Sequence, residues 1–161
     1  MRTRTPVWLI GLSLSAAVWA ADTPRAGWYE VSTEYSVDGQ QWRAAPARQA
    51  FCALGLGEAE LEQVYRAAFE REGCRVQRLR IADGRGEGVA QCRANGHPAQ
   101  VQIQARYDAR GFETQADSQG RLVVEQNQSL PFRMLSRSQG QRSRDCSEAE
   151  RAASRALLQG R

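Results

Sequence analysis

The stretch Cys74 to Cys92, CRVQRLRIADGRGEGVAQC, constrains this chain more than any other. Ala82-Asp83-Gly84 reads as a three-residue hairpin loop, with glycine supplying the left-handed residue such a loop needs. That loop sets Ile81 opposite Arg85, and the same register sets Cys74 opposite Cys92. Directly opposed residues of an antiparallel pair lie about 4.5 to 5.5 Å apart at Cα, which a disulfide can span. Spacing alone therefore predicts one bridge, Cys74–Cys92. The chain has four cysteines, so Cys52 and Cys146 are left to pair with each other. On loop-entropy grounds the short bridge contributes about 3 kcal/mol and the long one between about 4 and 5 kcal/mol. Zinc is the competing use of four cysteines, but no pair has CxxC spacing. The only histidine, His97, stands before Pro98 in an expected turn. No metal or other cofactor is expected.

A disulfide framework implies an oxidising compartment, and the N-terminus agrees. Arg2 and Arg4 precede an apolar run from Val7 to Ala20 that ends in Val18-Trp19-Ala20, the three parts of a secretory signal peptide. The run is shorter than the roughly 20 apolar residues a membrane span requires, and Gly11, Ser13 and Ser15 interrupt it. Residues 1–20 are thus expected to be cleaved and 21–161 to form one disulfide-bridged domain, periplasmic or secreted, with no membrane anchor. The formal net charge is +4, and loss of Arg2 and Arg4 halves it. Arg75, Arg78, Arg80, Arg137, Arg142 and Arg144 are interspersed with acids, so nucleic acid is not an expected partner. All the basic side chains are arginines, which is better explained by coding bias than by a basic surface.

Period-two alternation marks strands along the mature chain. Tyr29, Val31, Thr33, Tyr35 and Val37 alternate with Glu30, Ser32, Glu34 and Ser36, and Asp38-Gly39 turns the chain. Gln41 to Ala50 returns as a second strand, demoted to an edge or bulged strand by Pro46. After the Cys74–Cys92 hairpin and a turn at Asn95-Gly96-His97-Pro98, Val101, Ile103, Ala105 and Tyr107 define another strand face. A weaker strand is expected over 112–116, a turn at Ser118-Gln119-Gly120, a strand over 121–128, and a last strand starting at Pro131. Two segments differ. Leu61, Val64, Tyr65, Ala68 and Phe69 recur at three and four, predicting an amphipathic helix over about 58–71 stopped by Gly73. Ser147 to Glu150 is a capping box opening a C-terminal helix over about 147–159. The fold class is mainly β with minor α: an antiparallel meander forming a small barrel or a curled half-barrel.

These landmarks resemble a bacterial exported family known as domain-of-unknown-function family 3617. Arg25-Ala26-Gly27-Trp28-Tyr29-Glu30-Val31 is similar to its opening strand. Cys52 follows the first hairpin, Cys74 and Cys92 flank a hairpin, and Arg144-Asp145-Cys146 is similar to its ending. Ala26 stands where the family usually has Pro, and Arg144 where it has Gly. The resemblance implies an exported β domain and carries over no catalytic residue.

Catalytic chemistry finds little support. A nucleophile needs a base in reach, and one histidine with four bridged cysteines leaves no pair; no Gly-x-Ser-x-Gly elbow occurs. Gly84-Arg-Gly-Glu-Gly88 lacks the Lys-Ser/Thr tail of a phosphate loop. Glu58, Glu60 and Glu62 suit a helix N-terminus, and Glu113, Asp117 and Glu125 cannot be paired from sequence. The expected function is a small binding or interaction module without catalytic activity, its partner an unidentified protein or a small apolar ligand. Inhibition of a cell-wall hydrolase is the alternative, and an enzyme the third. Trp28, Tyr35, Trp42, Tyr107 and Phe112 are the candidate ligand-binding residues in the concave side of the sheet, although a plain core role explains them more simply.

Overall fold

The computed structural model describes residues 23–45, 48–94, 97–125 and 128–159. The leader, Pro46 and the Asn95-Gly96 step lie outside the described residues. The strands are β1 (Gly27–Val37), β2 (Arg43–Ala44), β3 (Gln49–Ala53), β4 (Arg75–Ala82), β5 (Arg85–Ala94), β6 (His97–Tyr107), β7 (Gly111–Glu125) and β8 (Gln128–Arg144). The helices are α1 (Glu58–Arg71), between β3 and β4, and α2 (Glu148–Leu158), after β8. The sheet order is β2-β1-β8-β7-β6-β5-β4, with β3 following β2 along the same edge of β1. Every pairing is antiparallel. β4 to β8 form the expected meander, and β8 then returns to pair with the first strand. The sheet stays open, with β4 at one edge and β2 and β3 at the other. Of the two expected closures, the curled open form is the one adopted.

The Cys74–Cys92 hairpin is present, but with a different turn. Ala82 pairs with Arg85 and Ile81 with Gly86, leaving Asp83-Gly84 as a two-residue turn. Both turn residues have positive φ, 54° and 73°, the geometry whose twist matches that of the flanking strands. This register alone leaves Cys74 out of line with Cys92. A bulge between Val76 and Arg78 absorbs Gln77, moves the pairing by one, and sets Arg75 opposite Gln91. Cys74 then faces Cys92, and the two form a disulfide with Cα atoms 4.0 Å apart. The predicted pairing is correct, reached through a turn and a bulge that offset each other. Cys52 and Cys146 form the second bridge, Cα to Cα 5.9 Å, tying β3 to the end of β8.

Other expected boundaries move. Ser118-Gln119-Gly120 does not turn; it runs through β7, paired to β6 on one side and β8 on the other. Gly120 is there for space, since a Cβ would come within 2.8 Å of Phe132 Cε1 and 2.9 Å of Ala99 Cβ. The last strand starts at Gln128, before Pro131. Pro131 is tolerated because β1 ends its pairing at Val37–Met134, leaving that side of β8 without a partner whose carbonyl needs a donor. The expected strand over 41–50 is two short strands. His97 lies within β6 opposite Ala94 rather than in a turn.

Both helices begin and end where their residues dictate. The Gly57 N–H donates to Glu60 Oε2 (3.0 Å) at the start of α1, and Gly73, with φ 75°, follows its end. Ser147 and Glu150 form the reciprocal capping box of α2 at 3.2 and 2.7 Å. α2 is fastened to β3 by Ser154 Oγ donating to the Cys52 carbonyl (2.8 Å) and, next to it, by the Cys52–Cys146 bridge. Among the described residues the buried apolar side chains are Tyr29, Val31, Ala90, Ala99 and the half-cystines 52, 74 and 146. So small a buried set shifts much of the burden of stability onto the two bridges.

Candidate functional site

Alternation gives the sheet two unlike faces. Opposite pairs place Glu34 beside Arg137, Arg137 beside Gln115, Gln115 beside Gln104 and Gln104 beside Glu87 on the outer face. The inner row one residue along reads Thr33, Ser138, Thr114, Ala105, Gly86, Ile81. The Thr33 and Ser138 hydroxyls share a 2.9 Å hydrogen bond. α1 lies over the β4 end of this inner face and leaves a cavity of about 180 Å³ beneath it.

The helix lines the cavity with Leu61, Tyr65 and Phe69, successive members of a four-residue stripe. The sheet answers with Leu79, Ile81, Ile103 and Ala105. Small residues make this possible: a Cβ at Gly88 would come within 3.1 Å of Leu79 Cδ1, and one at Gly86 within 3.2 Å of Ala105 Cβ. The far wall is aromatic. Tyr29 is paired with Phe51, ring centroids 6.0 Å apart, and Phe112 completes the cluster at 6.1 and 6.2 Å. Phe112 lies across Gly140 of β8, at a spot where a Cβ would strike its ring. Phe51 and Tyr65 are 44% and 47% exposed, so the cavity has an apolar mouth.

Two phenols frame it with polar contacts. Tyr107 Oη donates to Glu58 Oε1 at 2.6 Å, joining the end of β6 to the first turn of α1. Burial, and then the hydrogen bond to the Glu58 carboxylate, holds its phenol far above the usual range. Tyr29 Oη donates to the Arg25 carbonyl at 2.9 Å, and burial likewise raises its pKa against the opposing pull of Arg142.

Tyr107 and Phe112 also line a wider groove of about 740 Å³ at the β6–β7 turn, whose Arg106, Glu113 and Gln139 belong by register to the outer face. Its charged side chains are Arg25, Arg106, Arg110, Arg142, Asp108 and Glu113. Asp108 closes the β6–β7 turn by accepting the Arg110 and Gly111 N–H groups (2.7 and 3.0 Å), and Glu113 accepts from Gln139 (2.8 Å). Arg142 is paired with Asp145 and donates to the Ala26 carbonyl. Among the described residues, Arg25, Arg106 and Arg110 have no carboxylate within ion-pair distance.

The five aromatics expected to gather do not. Tyr107 and Phe112 line the cavity. Tyr35 is on the same face further along β1, opposite Ser136. Trp28 and Trp42 are on the outer face, with Arg144 over the first ring at 4.6 Å and Arg137 over the second at 4.2 Å. Trp28 follows from strand parity, since it alternates with Tyr29 and shares a face with Glu30. Apart from Tyr107 and Phe112, the lining residues were not nominated from the sequence, Tyr29, Leu61, Tyr65 and Phe69 among them. Their signal was present, in the β1 alternation and the α1 stripe, but it reads as ordinary core.

The acids considered for catalysis have structural partners, except Glu125, whose side chain lies outside the described residues. Glu58 holds Tyr107, Glu60 caps Gly57, and Glu62 pairs with Arg66 at 3.4 Å. Asp117 pairs with Arg133 at 2.6 Å, which holds its carboxyl below the usual range. Among the described residues no cluster of His, Cys, Asp and Glu has the makings of a metal site. Comparison of the chain with protein-family models, curated proteins and solved structures finds no match.

Proposed function

We propose that this protein is a small exported binding module that takes the apolar part of a small ligand in the cavity under α1. The observation that carries the proposal is the cavity itself: about 180 Å³, walled by aliphatic and aromatic side chains, with Phe51 and Tyr65 exposed at its mouth. An apolar cavity of about 150 Å³ stays dry and accepts benzene, so this one has room for a comparable group. Export is supported by the two disulfides, which belong to an oxidising, extracytoplasmic setting, and by the leader-like N-terminus; periplasm or medium is the proposed destination. Among the described residues no helix is long and apolar enough to cross a membrane. The resemblance to domain-of-unknown-function family 3617 is part of the same proposal, and so is a role without catalysis. Inhibition of a cell-wall hydrolase would call for a projecting loop, whereas the Asp83-Gly84 and Asp108–Arg110 turns are tight.

The test is calorimetric titration of the oxidised mature protein with 1-octanol. One-site saturation is expected, and Ile103→Trp, which fills the cavity from β6, abolishes it. A titration without saturation, or one indifferent to Ile103→Trp, rejects the proposal.

A further inference from the structure

Glu87, the one charged residue at the cavity's lining, carries its side chain on the outer face, so a ligand seated in the cavity must carry its own polar end out through an opening. Two sides are unlike in charge. On the α1 side stands the Glu58 carboxylate, already engaged by Tyr107. At the β6–β7 turn is the groove that shares Tyr107 and Phe112 with the cavity; its Arg106 and Glu113 lie on the outer face, while Arg25, Arg110 and Arg142 stand around the turn with Asp108. The lip between the two spaces is crossed by two consecutive residues, Pro24 lining the cavity and Arg25 lining the groove. Arg25 and Arg110 are exposed and free of carboxylate partners among the described residues, while Asp145 offsets Arg142.

From this arrangement, which rests on the binding reading above, we infer that the ligand is an anionic single-chain amphiphile. Its alkyl chain lies under α1 and its carboxylate lies among the groove arginines, chiefly Arg25 and Arg110. A guanidinium suits a carboxylate because its planar N–H groups match the two oxygens. The cavity sets the chain length. Its volume is close to that of a cavity that holds the six carbons of benzene, so it accepts roughly six methylenes. A medium-chain fatty acid fits, with the carbons nearest the head lying across the lip.

The test is titration of the oxidised mature protein with butanoate, hexanoate, octanoate and decanoate, and with 1-octanol and octylammonium. Affinity should rise about fourfold per methylene until roughly six are buried, and then level off. Octanoate should bind about fivefold more tightly than 1-octanol at low ionic strength, a preference that salt erodes. The double variant Arg25→Gln/Arg110→Gln should lose that preference and keep its affinity for 1-octanol, which also reports that the cavity is intact. Equal binding of octanol and octanoate, or tighter binding of octylammonium, overturns the anionic assignment and leaves the apolar-cavity reading standing. Saturation by none of the probes rejects both. Affinity that climbs through decanoate without levelling off rejects the enclosed chain site.

Discussion

Tyr107 does more than any other single residue to position the cavity. Its ring lines both the cavity and the groove, and its hydroxyl joins the sheet to the first turn of α1 through Glu58. The contact is to a charged acceptor in a partly exposed place, so Tyr107→Phe is expected to cost about 1 kcal/mol in urea unfolding. It should also remove the phenol that titrates furthest above the normal range in an absorbance pH titration, because burial and the Glu58 carboxylate both oppose its ionisation. Loss of the high-pH step without loss of stability would show that the hydrogen bond does not fasten α1. Tyr107 was legible in the sequence as a member of the Val101–Tyr107 face. Its partner was not, because Glu58 lies 49 residues away and was already explained as an acid suited to a helix N-terminus.

Elements were legible wherever local chemistry decides them. α1 follows from its stripe and Gly73, α2 from the Ser147–Glu150 box, and β1 and β6 from alternation. β7 and β8 were not legible as long strands. Ser118-Gln119-Gly120 has turn composition, and only pairing on both sides with β6 and β8 keeps it extended. The β4–β5 hairpin shows how local and tertiary demands combine, since Asp83-Gly84 fixes one register and the Gln77 bulge corrects it. Deleting Gln77 should therefore remove the bulge and leave Val76 opposite Ala90 and Cys74 opposite Cys92. A non-reducing peptide map of that variant is expected to keep the 74–92 link; its loss would show that the bulge does more than absorb one residue. α2 offers a test in pH. Arg144, bonded to Glu150 at 2.7 and 2.9 Å, pulls that carboxyl down to about 2, so the pair contributes above the ordinary carboxylate range and is lost as pH falls toward that value. Amide exchange in α2 should speed up below about pH 4.5 while exchange in β6 and β7 does not. Uniform loss of protection across the molecule would contradict this.

The molecule as a whole is an open curled sheet, bolted at two places by disulfides and roofed at one end by a helix. The meander was readable because neighbouring strands pair in chain order. The return of β8 to β1 and the openness of the sheet were not, since both depend on contacts between residues about a hundred positions apart, such as Thr33 and Ser138. Trp42 falls under the same limit, since its place on the outer face shows only in its packing beneath Arg137, whereas that of Trp28 was readable from its alternation with Tyr29. The central claim is that the inner face under α1 is a binding cavity rather than merely a loosely packed core. Its most direct test is a methyl-detected NMR titration of the oxidised protein with octanoate. Saturable shifts are expected at the methyl groups of Leu61, Leu79, Ile81 and Ile103, with those of Leu157 and Leu158 on α2 unmoved. Shifts confined to exposed methyls such as Leu130 and Met134, or no saturable shift at all, would contradict it.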